Sequence, residues 1–104
     1  MKNIADIRQE YTKSGLRESE LPCDPLSLFS RWLQEAIDAN VEEPTAIIVG
    51  TVSPEGRPST RTVLLKGLHD GKFIFYTNYE SRKGRQLAQN PYISLSFVWH
   101  ELER

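Results

Sequence analysis

The sequence predicts a small domain that is mainly β with α: an antiparallel meander, two N-terminal helices and a short helix before a fourth strand. Two observations support this prediction. Runs rich in β-branched and aromatic residues, separated by short turn sequences, follow one another from residue 45 to residue 99. Residues that commonly start helices stand immediately before positions 25 and 82. The length of 104 residues fits one domain with a thin core.

The first predicted element is a short N-terminal helix. Ile4, Ile7 and Tyr11 recur at helical spacing, and Gly15 is well placed to end the helix. Its apolar stripe is narrow, so we expect the segment to lie on another surface of the protein. The polar and charged run that follows, up to Pro22, is typical of a mobile connection.

A second helix is marked more clearly. Asp24 is a favourable N-cap, and Pro25 suits the first helical position because its missing N–H would have no partner there. We expect this helix to end near Asn40. The apolar residues expected on its packed face are Leu26, Phe29, Leu33 and Ile37.

Four strands are predicted after this helix, at 46–52, 59–68, 72–79 and 92–99. Turn sequences at 53–56 and 69–71 join the first three, so these strands are expected to be antiparallel neighbours in a meander. Ser81 is the expected N-cap of the short helix, and Asn90-Pro91 ends it. Four strands leave open edges, so we expect further chain or a partner chain to complete the fold.

The net charge of -1 hides an uneven distribution of charge. Residues 1–44 carry five basic and nine acidic side chains, whereas residues 57–85 carry seven basic and two acidic ones. A basic block of this kind suits a phosphate-bearing partner. Half-buried strands also carry Lys and Arg on their wet face for solubility alone, so both interpretations stay open.

Several classes of function are disfavoured. A single cysteine, Cys23, and two histidines predict neither a disulfide nor a metal site. The sequence contains no Gly-rich phosphate loop and no nucleophile elbow, so any redox chemistry would have to come from a bound cofactor. The longest apolar stretch, 46–52, is too short to span a membrane. The first residues do not resemble a signal peptide, so we expect a cytoplasmic protein.

Binding of single-stranded nucleic acid is an alternative for a basic meander that carries aromatic residues. Strand alternation turns Phe73 and Phe75 towards the side of the expected core, where they could not stack on bases. The slightly acidic overall charge also disfavours a nucleic-acid partner. We therefore expect none.

The start of the short helix is the best candidate for binding a phosphate group. A helix N-terminus presents unpaired N–H groups and a partial positive charge. Arg82 and Lys83 stand there although their charges oppose the helix dipole, and the Thr77 hydroxyl is expected nearby. In the second strand, alternation places Arg61 and Lys66 on opposite faces unless a bulge intervenes, so we expect them to serve either two different groups or two faces of a site between subunits.

Six segments along the chain form a recognisable set: Ile7-Arg8-Gln9-Glu10-Tyr11-Thr12, Asp24-Pro25-Leu26 with Phe29 and Trp32, Arg61-Thr62-Val63-Leu64-Leu65-Lys66, Phe75-Tyr76-Thr77-Asn78, Ser81-Arg82-Lys83, and Trp99-His100 with Leu102-Glu103-Arg104. In these segments the sequence resembles the pyridoxamine 5′-phosphate oxidases of vitamin B6 metabolism. The resemblance implies an FMN-binding split β-barrel that works as a homodimer. It also implies oxidation of pyridoxamine 5′-phosphate or pyridoxine 5′-phosphate to pyridoxal 5′-phosphate, with dioxygen as acceptor.

The resemblance also implies roles for individual residues. The expected FMN contacts are Arg61, Thr62, Val63, Leu64, Leu65, Lys66, Tyr76 and Thr77, with Arg82 and Lys83 at the FMN phosphate. Lys66 is similar to a lysine that meets the substrate phosphate, and Arg8 and Tyr11 to a pair that closes over the substrate. No catalytic residue is assigned. The implied organisation is a lid helix and linker at 1–22 and a split-barrel domain at 23–104, incomplete at its C-terminus; an FMN-binding module without oxidase activity is the alternative.

Overall fold

A computed structural model describes residues 3–13, 15–77 and 81–104, without the side chain of Arg82. Its helices and strands are α1 (Pro25–Asp38), β1 (Ala46–Val52), β2 (Pro58–Leu64), β3 (Gly67–His69), β4 (Lys72–Ile74), α2 (Arg82–Gln89) and β5 (Ser94–Ser96). Short 3-10 turns lie at Ile4–Asp6, Glu18–Glu20 and His100–Leu102. None of the described helices is long and apolar enough to cross a membrane.

The chain divides into two compact units. The first comprises Met1–Val41 and Trp99–Arg104, and the second comprises Glu42–Val98. The boundary that the sequence predicts, between residues 22 and 23, stays a prediction.

In the first unit, α1 begins and ends as its sequence predicts. The Asp24 side chain accepts a hydrogen bond from the Leu26 N–H at 3.1 Å, and Pro25 occupies the first turn. The buried face differs by one position from the expected one, because Ala36 is fully buried whereas Ile37 is 44% exposed. The rings of Phe29 on α1 and the buried Trp99 lie 5.9 Å apart.

The expected N-terminal helix is replaced by the 3-10 turn at Ile4–Asp6. Ile4, Ile7 and Tyr11 are all more than half exposed. A short helix is marginal in water unless its apolar face is packed, and these side chains have little packing to stabilise it. The helical spacing of these residues is therefore not sufficient to form a helix.

In the second unit, β1 is the central strand of an antiparallel sheet with the order β2-β1-β5. The β1 side chains of Ile47, Val49 and Thr51 are buried, and those between them are more exposed, as alternation requires. Helix α2 packs against β1. We call the face that carries these three buried residues the inner face of the sheet.

The predicted meander is corrected to two separate sheets. The run 59–68 is divided between β2, which pairs with β1, and β3, which pairs with β4. The Leu65 N–H donates to the Thr45 carbonyl at 2.8 Å, and the Lys66 N–H donates to the Ile74 carbonyl at 2.7 Å. The chain thus changes its hydrogen-bonding partner between two adjacent residues.

The third and fourth predicted strands are shorter than expected. The third is a strand only at Lys72–Ile74, with 75–77 outside any strand and 78–80 outside the described residues. The fourth is a strand only at Ser94–Ser96, and it pairs with β1. The described strands do not close into a barrel. These pairings join residues far apart in sequence, which local pattern does not reveal.

The turns and the short helix agree with their predictions. Asp70 and Gly71 both have positive φ, 50° and 73°, as the two central residues of a type I′ hairpin require. Ser81 caps α2 by accepting a hydrogen bond from the Gly84 N–H at 3.1 Å. The helix ends at Asn90. These features position the basic residues of the second unit.

Candidate functional site

The inner face of the sheet and the first turn of α2 form the candidate site. In the register of β1 and β2, Arg61 lies opposite Val49, and Ser59 lies opposite Thr51. Both β2 residues therefore belong to the inner face. Lys83, the second residue of α2, is only 4% exposed, although most lysines lie at the surface.

The charge of Lys83 is poorly compensated. Its Nζ lies 5.5 Å from the centre of the Phe75 ring, a weak cation–π contact. Burial, and then the positive charge of Arg61, lower the pKa of Lys83 below its ordinary value. None of the ion pairs among the described residues involves Lys83 or Arg61. Within the part of the chain that the structure describes, neither of these two neighbouring cations has a carboxylate partner, so this part of the unit is suited to an anion.

Helix α2 is attached to the sheet by a small polar cluster that the sequence did not indicate. The side-chain oxygen of Gln86, which is 8% exposed, accepts a hydrogen bond from the Ser59 hydroxyl at 2.9 Å. The same oxygen accepts a hydrogen bond from the buried Thr51 hydroxyl. A glutamine on a short polar helix and two hydroxyl residues on separate strands carry no local signal that they meet.

The predicted FMN contacts of 61–66 differ in exposure. Val63 is half-buried and Leu65 is 8% exposed, whereas Arg61, Thr62, Leu64 and Lys66 are exposed. Tyr76 is 75% exposed, and Thr77 is half-buried. The side chain of Arg82 lies outside the described residues. Of the predicted cofactor-binding residues, Arg61 and Lys83 are the pair whose charges interact in the structure.

The predicted substrate residues Arg8 and Tyr11 lie in the first unit. They line an open surface depression of about 740 Å³ together with Ile7, Gln9 and His100. The Arg8 guanidinium lies 3.7 Å from the Glu10 carboxylate, and both side chains are mostly exposed. His100, which the sequence did not assign to a site, lies 3.2 Å from Glu101. Lys66 belongs to the second unit.

Among the described residues, no group of three or more His, Cys, Asp or Glu side chains could hold a metal ion. Cys23 is exposed and not in a disulfide.

The family described as "Pyridoxamine 5'-phosphate oxidase" matches residues 33–104, well over half of the chain. The chain belongs to this family. A pyridoxine/pyridoxamine 5'-phosphate oxidase of Bacteroides fragilis is 80% identical over 102 residues, covering 98% of this chain and 43% of the relative. A protein of the same name from Escherichia coli is 52% identical over 104 residues, all of this chain and 48% of the relative. The chain thus spans less than half the length of these relatives.

Two solved structures share the fold. PhzG from Burkholderia lata, in complex with tetrahydrophenazine-1-carboxylic acid, superposes with a TM-score of 0.79 at 34% identity, covering 85% of this chain and 45% of that one. A pyridoxamine 5'-phosphate oxidase-related, FMN binding protein from Nostoc punctiforme gives a TM-score of 0.61 at 23% identity, with 73% and 40% covered. The predicted split-barrel class is confirmed, although the described strands form only part of such a barrel.

Proposed function

We propose that the chain binds FMN through its phosphate at the first turn of α2 and the adjacent inner face of the sheet. The observation that carries the proposal is the buried Lys83 beside Arg61, with no ion pair to either among the described residues. A phosphate group would compensate both charges through charge-assisted hydrogen bonds. The family membership and the FMN-binding neighbour from Nostoc punctiforme support the choice of FMN among phosphate ligands.

The donors of this site fit a phosphate group well. A guanidinium presents two parallel N–H groups, and an ammonium adds a compact positive charge. The first N–H groups of α2 add a partial positive charge, although Ser81 already accepts one of them, that of Gly84. Arg82 is proposed as a further contact of the FMN phosphate because of its position in the sequence, next to Lys83.

The remaining predicted contacts belong to the same proposal. The residues proposed to contact the flavin are Thr62, Val63, Leu64, Leu65, Tyr76 and Thr77. Lys66 is proposed to contact both the flavin and the substrate phosphate. Arg8 and Tyr11 are proposed to close over the substrate. Bound FMN would supply the two-electron acceptor, which no protein side chain provides. The chain's own residues would bind, orient and shield the reactants.

We further propose that the chain serves the oxidation of pyridoxamine 5′-phosphate or pyridoxine 5′-phosphate to pyridoxal 5′-phosphate, with dioxygen as acceptor. The names of the curated relatives support this reaction. An FMN-binding module without oxidase activity is the second candidate, because the chain spans less than half the length of those relatives. Release of hydrogen peroxide on addition of pyridoxamine 5′-phosphate to the FMN-loaded chain would distinguish the two.

A homodimer and a cytoplasmic location stay proposals. The face of the sheet opposite the inner face carries Ile48 and Leu64, which are 44% and 42% exposed. The two side chains are diagonal neighbours in the register of β1 and β2, and a contiguous exposed apolar patch is typical of a surface that another chain covers. Sedimentation of the purified chain would test the dimer.

Titration of the chain with FMN, followed by quenching of flavin fluorescence, tests the proposed function. We expect the wild-type chain to bind FMN and Lys83→Met to weaken binding at least tenfold, because one cation of the pair is lost. Lys72→Met removes an exposed cation of the same unit and is the matched control, with unchanged affinity expected. A wild-type chain that does not bind FMN, or equal losses in both variants, would refute the proposal.

A further inference from the structure

Gln86 connects α2 to two strands at once. Its side-chain oxygen accepts hydrogen bonds from Thr51 on β1 and from Ser59 on β2. These two hydroxyl residues are direct partners in the antiparallel register. One amide group therefore holds the helix against both strands at a single cross-strand position.

The two cations of the candidate site lie on either side of this connection. Lys83 precedes Gln86 by three residues, so both side chains lie on the same face of α2, and both are buried. Arg61 follows Ser59 by two residues, so both belong to the inner face of the sheet. The hydrogen bonds of Gln86 thus link the helix that carries one cation to the strand that carries the other.

Without an anion, the charges of Lys83 and Arg61 oppose this arrangement. Like charges repel, and separation of α2 from β2 would relieve the repulsion and rehydrate the ammonium group. The contact of Lys83 with the Phe75 ring provides only a weak attraction. Among the described residues, the hydrogen bonds of Gln86 resist the separation.

We propose that Gln86 is a positioning residue, which together with Thr51 and Ser59 holds Lys83 and Arg61 at the spacing that one phosphate group requires. This inference rests on the proposed binding of FMN. Gln86 then affects the affinity for FMN by positioning Lys83 and not by contacting the flavin. Removing the amide should then weaken FMN binding only while Lys83 is present.

A double-mutant cycle with Gln86→Met and Lys83→Met tests this dependence. The FMN dissociation constant is measured by fluorescence quenching, for each variant well below its own melting temperature. Met retains the length of the glutamine side chain but cannot accept the two hydrogen bonds. We expect Gln86→Met alone to weaken FMN binding about tenfold and to have no further effect in the Lys83→Met background.

Variants of the hydroxyl partners provide a check that does not change α2. Thr51→Val removes the hydroxyl at almost constant volume and should weaken FMN binding, whereas Thr51→Ser keeps the hydroxyl and should retain most of the affinity. Thr60→Val is the matched control, because Thr60 is exposed and lies on the opposite face of β2. Its affinity should equal that of the wild-type chain.

The possible outcomes separate this inference from the proposed function. If the wild-type chain binds FMN and Gln86→Met binds it equally well, the positioning role is refuted and the FMN site stands. Equal losses from Gln86→Met with and without Lys83 would indicate a general effect on folding and would also refute it. If Gln86→Met does not fold, equal FMN binding by Thr51→Val and Thr51→Ser would refute it. A wild-type chain that does not bind FMN would overturn both proposals.

Discussion

Replacement of Lys83 by Met in the flavin-free chain tests the charge argument in a second way. Lys83 is 4% exposed, and its pKa is lowered by burial and by Arg61, so its charge destabilises the flavin-free fold. Met has a similar length and no charge. We therefore expect the variant to be more stable than the wild-type chain when FMN is absent, although it binds FMN more weakly.

The size of this effect follows from two opposing contributions. Replacing buried charge by apolar groups of similar volume stabilises proteins by up to about 1–4 kcal/mol. Loss of the contact with Phe75 costs about 0.5–1 kcal/mol. Among the described residues no buried side-chain nitrogen is both sealed from water and without a partner, so the ammonium of Lys83 keeps some hydration, and we take about 2 kcal/mol, in the lower half of that range. We expect a net gain of about 1 kcal/mol in the free energy of unfolding.

Urea denaturation of both flavin-free chains at pH 7 measures this difference. Lys72→Met, at an exposed position, should differ from the wild-type chain by no more than about 0.5 kcal/mol. FMN at one hundred times the wild-type dissociation constant should stabilise the wild-type chain by about 2.7 kcal/mol and a tenfold weaker variant by about 1.4 kcal/mol. The advantage of Lys83→Met should then disappear. If the flavin-free Lys83→Met chain is less stable than the flavin-free wild-type chain by about 1 kcal/mol or a larger amount, the reasoning is refuted.

Three further predictions concern pH and local structure. Because the pKa of Lys83 is lowered in the fold, the folded chain loses the Lys83 proton at a lower pH than the unfolded chain, which keeps it until pH approaches 10.5. Urea melts should therefore show the stability of the wild-type chain rising relative to that of Lys83→Met as pH increases towards 10.5. Asp24→Ala removes the cap of α1 and should cost about 1 kcal/mol in thermal or urea unfolding, whereas Asp24→Asn should cost much less. Gly71→Ala places a side chain at φ 73° and should destabilise the β3–β4 hairpin by about 1 kcal/mol, whereas Gly71→Asn should be tolerated better.

The candidate site was only partly accessible to sequence reasoning. The alternation of β2 placed Arg61 on a defined face of its strand, and the N-cap at Ser81 placed Lys83 in the first turn of α2. Contacts between residues 27 and 35 positions apart bring this strand and this helix together. Through these contacts Gln86 is joined to Thr51 and Ser59. Local spacing contains no record of such contacts.

The limits of strand prediction have the same origin. Residues 59–68 were predicted as one strand, and the change of partner between Leu65 and Lys66 is made by hydrogen bonds to Thr45 and Ile74. Three consecutive apolar residues, Val63, Leu64 and Leu65, interrupt the alternation there and were an available signal. The N-terminal helix failed for the opposite reason, since its spacing was correct and its packing partner was lacking.

The sequence by itself determined the features that neighbouring residues control: the cap and first turn of α1, the two tight turns, the start of α2 and the basic character of 57–85. It also determined the family, because the matching segments extend along the chain. The tertiary structure alone decided which strand is central, where the sheet divides and that Lys83 is buried beside Arg61. The reason is physical: caps and turns are satisfied within a few residues, whereas burial and charge coupling arise only when distant segments pack together.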